Sequence, residues 1–436
     1  MSAGTGDAGW RAHRALAGVI AGQVCLHSAM AGLRMSAPLM LLQTGGLFGL
    51  TGPMTAGAMV ALFAFAPIFT AMHIGRWIDR RGFHKPMRLA VAMGVGGGLA
   101  AVPAALPGLV AEWLSPLWAD TLRALLLVAA AVLLGTAANL THIGAQRTVG
   151  RLAASAAEDA TGRAAELKRM FSWLGLAPSI SNMVGPMVAG ICIDQFGYAV
   201  TFAVLTTMPL LTRGFMRWVP RGTHTSAGAS ARARQAQQGV LASARELLAL
   251  PGMRRLLLIN WFFSSGWDLF AFLVPLHGHA LGLSATSIGS VLGTFAFTVA
   301  MVRVALPYLI GRRTEAQVIA FCYFVVAAMF GLYSFTTTVW QMLVLVVPLG
   351  MALGAVQPMV MTTLHHITPE ERQGEAIGLR SMCINFSSAV LPFGYGALGA
   401  ALGAATLFRA MAVLLLLGAR MARGMPTARS GPAEPA

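Results

Sequence analysis

Charge is scarce in this sequence, and acid scarcer. Only 11% of the 436 residues are charged, with 15 Asp and Glu against 31 Lys and Arg. A soluble domain has about a quarter of its residues charged, so a soluble multidomain protein is excluded. Hydrophobic residues at 56% and a mean hydropathy of +0.69 point instead to a polytopic membrane protein. Lysine is nearly absent: Lys85 and Lys168 leave 31 − 2 = 29 arginines, a usage that, with abundant alanine and glycine, suggests a GC-rich bacterial genome. Cysteine is sparse too. Cys25, Cys192, Cys322 and Cys383 fall inside apolar runs without metal-like spacing, as inert packing thiols do.

Other absences narrow the function. There is no GxxxxGK[ST] loop, and "GVGGG" at 94–98 has no lysine after it, so no nucleotide partner and no ATP-driven pump is expected. Paired acids, a nucleophile with a base, and a His-rich cluster are all missing at chemical spacing; an enzyme, a metal and an organic cofactor are therefore not expected. A channel would more often show a pore loop or filter motif. The net charge of +16 comes from residues scattered between apolar segments, not from an aromatic-interleaved basic face, which argues against a nucleic-acid partner.

What is present is a succession of long apolar runs. A helix needs about 20 apolar residues to cross the hydrocarbon core, and on that basis the chain contains twelve spans. They are 14–41, 53–75, 86–109, 118–146, 168–194, 197–218, 253–280, 284–309, 315–337, 339–366, 375–399 and 402–422. The first follows Arg11 and Arg14 and is far too long for a signal-peptide core. Only Arg34, Arg123 and Arg409 fall on one side of this layout, leaving 31 − 3 = 28 basic residues at or near the other. By the positive-inside rule that face is cytoplasmic, and both termini lie on it. The expected site is the bacterial inner membrane, with the lipid bilayer as partner and a monomer as the working unit.

The longest polar stretch, 219–252, divides the spans six and six. It joins a flexible basic linker to "VLASARELLAL", which reads as a short surface helix. The expected domains are 1–218, an N-terminal six-helix bundle; 219–252, the linker; and 253–436, a C-terminal six-helix bundle with a short polar tail. The halves also resemble each other: "LFAFAP" at 62–67 parallels "TFAFTV" at 294–299, and "LTGPMTAG" at 50–57 parallels "LSATSIGS" at 283–290. A six-span repeat suits a secondary transporter, in which two bundles rock about a site between them.

The turn after the second span reads "GRWIDRRGFHK". Through Gly75, Asp79, Arg80, Gly82, His84 and Lys85 it resembles the loop 2–3 signature of the major facilitator superfamily, and the 6+6 layout extends the resemblance over essentially the whole chain. It implies an all-α membrane fold of twelve transmembrane helices in two pseudo-symmetric bundles. It also implies a conformational gate, in which the Asp79 carboxylate docks at the N-terminus of the eleventh span near Gln373–Ala376, where free N–H groups and the helix dipole favour an anion. The matching stretch of the second half, "PYLIGRR" at 307–313, has Gly311 in place of the acid. Arg76, Arg81 and Arg88 are also explained by topology alone.

In the fifth span, "SISNMVGPMVAG" at 179–190 is similar to the motif of the superfamily's proton-coupled antiporters, with Gly185, Pro186 and Gly190 matching and Ser181 and Ala189 replacing glycines. The resemblance implies export. Ordinary close packing of a glycine-rich helix is the other reading.

An ionisable group far from both ends of a span is a functional candidate, because burying it costs roughly 2.5–3.5 kcal/mol. Asp268 lies near the middle of the seventh span, and Arg34 lies in the first, about six residues or roughly 9 Å beyond its middle. Aligning the halves carries position 34 to about 266–268. In the superfamily the first, fourth, seventh and tenth spans line the central cavity, so Arg34 and Asp268 could face each other across it, and protonation of Asp268 would release Arg34. A static ion pair, or two residues snorkelling to separate watery pockets, are the alternatives. Arg303, nearer the cytoplasmic end of its span, is explained by topology. Asn139, His142 and Gln146 share a face of the fourth span, and Gln357 and His365 a face of the tenth. His142 is a proton site or an interhelical hydrogen-bond partner. Trp261, Trp267 and Asn260 flank Asp268 and form an aromatic wall for a flat cargo, unless Trp267 packs or faces lipid.

The expected function is transport of a small molecule driven by the proton gradient, with efflux of a drug, metabolite or siderophore-like compound first. Proton-coupled uptake of a small organic anion or nutrient, and a non-transporting sensor or scaffold, are the alternatives.

Overall fold

The structure is a computed structural model, and it describes residues 3–44, 50–106, 116–156, 170, 173–220, 240–309, 314–368 and 373–422. Helices account for these segments, and no strand occurs among the described residues. The first half contains α1 (Ala3–Thr44), α2 (Gly52–Arg81), α3 (His84–Ala104) and α4 (Pro116–Ala156). The next helical run, Ala177–Phe215, contains Gly197 at φ 77° and ψ 179°, a conformation open to glycine because it lacks a Cβ. That residue divides the run into α5 (177–196) and α6 (198–215). A short helix, Val240–Ala249, precedes the second half. There follow α7 (Met253–Ala280), α8 (Ala285–Leu309), α9 (Glu315–Tyr333), α10 (Val339–Ile367), α11 (Gln373–Leu402) and α12 (Ala404–Ala422).

Ten of these helical runs are long and apolar enough to cross a membrane. Because the run Ala177–Trp218 is two helices joined at Gly197, and because α11 has 30 residues, the described helices supply the twelve predicted spans. The run Gln373–Leu402 is not among the ten. Boundaries differ where local chemistry intervenes. The fifth span, predicted from 168, starts as a continuous helix at Ala177, with Pro178 in its first turn, where a missing N–H is harmless. The third, predicted to 109, ends at Ala104, just before Leu106, which the following proline biases away from helix. The fourth continues past 146 to Ala156 through the good helix formers of "RLAASA". Thr314 and Thr338 start α9 and α10 with reciprocal capping boxes to Gln317 and Gln341.

The chain divides into two compact units: Met1–His224 with Pro275–Ala296, and Thr225–Val274 with Phe297–Ala436. In the first, α1 packs against α5 and α6, and α4 packs against α1, α2 and α3. Leu26, Leu33, Met40, Met59, Leu127 and Phe202 lie at the centre of this core. In the second, α9 packs against α10 and α12. Tyr323, Phe330, Tyr333 and Phe408 are fully buried there, and the Tyr333 hydroxyl donates to the Met342 carbonyl at 3.2 Å. Exposed Phe69, Phe321, Trp340 and Val344 point away from these cores, as lipid-facing side chains of a bundle must.

Candidate functional site

In the second unit the polar groups converge on α7. Asp268 lies fifteen residues into this 28-residue helix (268 − 253) and is 5% exposed. Ser388 of α11 donates its hydroxyl to Asp268 Oδ2 at 2.8 Å. One turn toward the start of α7, the Ser265 carbonyl accepts from the Tyr395 hydroxyl at 3.1 Å, a second bond between α7 and α11. Trp267 is half-buried beside Asp268. Asn260, 4% exposed, accepts from Arg380 Nε at 3.0 Å, while its Nδ2 is buried without a partner. Gln357 of α10 is exposed and accepts from Arg303 Nη2 at 2.9 Å. Asn260 and Asp268 thus meet Arg380 and Ser388 of α11, and Gln357 meets Arg303; the sequence reading had not assigned Arg303, Arg380 or Ser388 to the site. Arg380 was findable by the same rule that found Asp268, being a charge seven residues inside its helix (380 − 373).

A second polar cluster joins α1 and α4 in the first unit. Both ring nitrogens of His142 lie 3.0 Å from glutamine side chains, Nδ1 from Gln23 and Nε2 from Gln146. In both contacts the glutamine atom is the amide nitrogen Nε2. His142 is therefore held by side chains of two helices, Gln23 of α1 and Gln146 of α4. His27 falls at the middle of the span Ala12–Gln43, and its Nδ1 is buried without a partner, like Asn139 Nδ2 and Gln23 Oε1. His142 and Arg34 are its electrostatic neighbours. Buried polar atoms are rarely left unpaired, so these three atoms mark where polar partners are missing among the described residues. Arg34 is half-buried in α1 and belongs to the first unit, whereas Asp268 belongs to the second. His27 had not been singled out, although its midspan position was legible.

At the turn between α2 and α3, Gly82 caps α2 with φ 71° and donates its N–H to the Ile78 carbonyl at 2.9 Å. A residue with a Cβ would be strained there. His84 Nε2 donates to the Val219 carbonyl at 3.0 Å, and Lys85 is exposed in the first turn of α3. Gly75, Asp79 and Arg80 belong to α2, but their side chains, and the expected docking of Asp79 near Gln373–Ala376, lie outside the described residues.

The α5 motif lies between two close helix approaches. A Cβ at Gly185 would collide with the Ser28 carbonyl of α1, and one at Gly190 with the Ala285 carbonyl at the start of α8. In return, a Cβ at Gly289 of α8 would meet the Pro186 carbonyl at 2.5 Å. One turn beyond Gly190, the Asp194 carboxylate accepts from the Ala285 N–H at 2.9 Å and the Thr286 N–H at 2.7 Å. It thereby satisfies two donors that a helix start leaves open, and its charge lies favourably on the dipole.

Comparison with known proteins agrees with this architecture. The Major Facilitator Superfamily profile matches residues 24–392 and, separately, 256–435. The chain belongs to the major facilitator superfamily; it is a multi-pass membrane protein and a secondary transporter of that type. A solved D-xylose–proton symporter is similar with a TM-score of 0.72 at 13% identity, over 95% of this chain and 98% of that one. The human organic anion transporter MFSD10 (TETRAN) is similar with a TM-score of 0.62 at 13% identity, over 94% and 99%. A POT family transporter in complex with 5-aminolevulinic acid gives 0.65 at 11% identity, over 94% and 95%. At these identities the likeness is one of fold. No curated protein sequence matches the chain.

Proposed function

We propose that this transporter exports a small molecule across the bacterial inner membrane in exchange for protons, with Asp268 as the proton carrier and both termini in the cytoplasm. The observation that carries the reading is a carboxyl group buried at the middle of α7 and bonded to a serine of a second helix. An ionised carboxylate accepts from Ser388. The protonated acid is itself a donor, so each protonation changes the bonding between α7 and α11. Keeping a carboxylate at this depth costs roughly 2.5–3.5 kcal/mol, a cost hard to explain for a residue with only a packing role. The Gly185, Pro186 and Gly190 motif supports export. The Asp79 turn at one membrane face and the Asp194 contact at the other supply a closure for each half of an alternating-access cycle, the protein working as a monomer on the gradient without a cofactor.

A growth screen of a deletion strain across toxic compounds and metabolites identifies a cargo, and proteoliposomes loaded with a pH-sensitive dye then test the coupling. Cargo-dependent proton movement in the wild type should fall at least about tenfold in Asp268→Asn and recover in part in Asp268→Glu. Wild-type proton movement that persists in Asp268→Asn sinks the proposal. Absence of cargo flux from the wild type would instead favour a sensor.

A further inference from the structure

The two arginines of the second unit are unusual for topological charges. Arg303 lies six residues inside the end of α8 (309 − 303) and Arg380 seven residues inside the start of α11, a depth of roughly 10 Å at 1.5 Å per residue. Neither is described only by reach toward a helix end, because each guanidinium is pinned sideways by the neutral amide of another helix, Gln357 for Arg303 and Asn260 for Arg380. Their charges are close enough to act on each other. A third donor group, the Nδ2 of Asn260 in α7, is buried without a partner among the described residues, in a residue that is 4% exposed.

We propose that Arg303, Arg380 and Asn260 bind the anionic group of the cargo, a carboxylate or a phosphate. The proposal rests on the transporter reading above and adds the substrate class to it. The chemistry of the donors selects the charge of the ligand. Guanidinium nitrogens and an amide NH2 only donate, so a cation or a lone hydrogen-bond donor gains nothing there. Arg380 gives Nε to Asn260, and its two terminal nitrogens, which bond no described residue, present the planar fork that suits carboxylate and phosphate. An anion between the two arginines replaces their mutual repulsion by two attractions, in surroundings that screen charge less than water does. Asn260 orients one guanidinium with its oxygen and offers its nitrogen to the ligand, using both ends of one side chain.

The test uses the full chain in nanodiscs of phosphatidylcholine, titrated with inorganic phosphate, succinate and benzoate, and with succinamide and benzamide as neutral controls. At least one anion should bind saturably and raise the unfolding temperature, while the amides do not. Arg303→Gln and Arg380→Gln should each weaken that binding roughly tenfold or more, since each removes a charge-assisted contact. Arg303→Lys and Arg380→Lys keep the charge without the fork and should fall between, which holds the test open if the glutamine variants do not fold. The proposal is overturned if no anion affects the wild type, or if its effect survives unchanged in the arginine variants. It is equally overturned if the arginines matter only when phosphatidylglycerol is added to the discs, which would make the ligand a lipid headgroup. Arginine-dependent binding without proton-coupled flux would leave this site standing and remove the proton reading, and the opposite pattern would do the reverse.

Discussion

Asn260 shows what a single residue carries here: its carbonyl holds Arg380, and its amide nitrogen has no partner among the described residues. At this scale Asp268 was legible, because a lone carboxylate in an apolar run is visible without any structure. His27 and Arg380 obey the same depth rule, His27 at the middle of its span and Arg380 seven residues inside its helix. Which glycines matter was not legible at all, since 49 of them are spread along the chain. Gly135 of α4 abuts the Phe63 backbone of α2, whereas a Cβ at Gly394 of α11 meets nothing within 4 Å. Gly135→Ala should therefore destabilise the protein by about 1–3 kcal/mol, and Gly394→Ala should be neutral or stabilising by up to about 1 kcal/mol. Thermal unfolding of both variants in one detergent checks the contrast; equal shifts would contradict it.

Helix existence followed from apolar length, and eleven of the described α-helical runs lie where spans were placed, one of them holding two. Helix partnership did not follow. Residues 179–190 resemble an antiporter motif as a string, but what Gly190 touches is the start of α8, almost a hundred positions away. Asp194 stands at the end of the predicted span 168–194, and its role at the Ala285 and Thr286 amides comes from that long-range approach. It acts as a cap supplied by another helix. Replacing it by alanine should cost about 0.5–2 kcal/mol, as loss of an N-cap does. Asp194→Asn keeps one acceptor oxygen and should cost less. Denaturation of the two variants, with hydrogen exchange of the first turn of α8 as the local readout, tests this; unchanged exchange there would show that the cap is idle.

For the whole molecule, the repeat and the polar stretch 219–252 suggested a division between two halves of the sequence, and contacts group residues 275–296 with the first unit. A chain cut between residues 224 and 225 should then yield two fragments that co-purify, because the second fragment carries a segment that packs within the first unit. Gly190→Leu should reduce the co-purified amount several-fold by pushing α8 from α5. Co-purification indifferent to that substitution would mean that the packing of 285–296 does not hold the fragments together.

Class, span number and the superfamily turn could be read directly from the linear chain, because hydropathy is a local sum over about 20 residues and the turn motif is contiguous. The same is true of Asp268 as a costly charge. The partners of that charge, the glutamine clasp on His142, the pairing of Arg303 and Arg380 with neutral amides, and the capping of α8 by Asp194 depend on which helix faces meet. Such contacts are set by side-chain packing between segments up to 120 positions apart, a distance over which no periodicity in the sequence records which residue will stand opposite which.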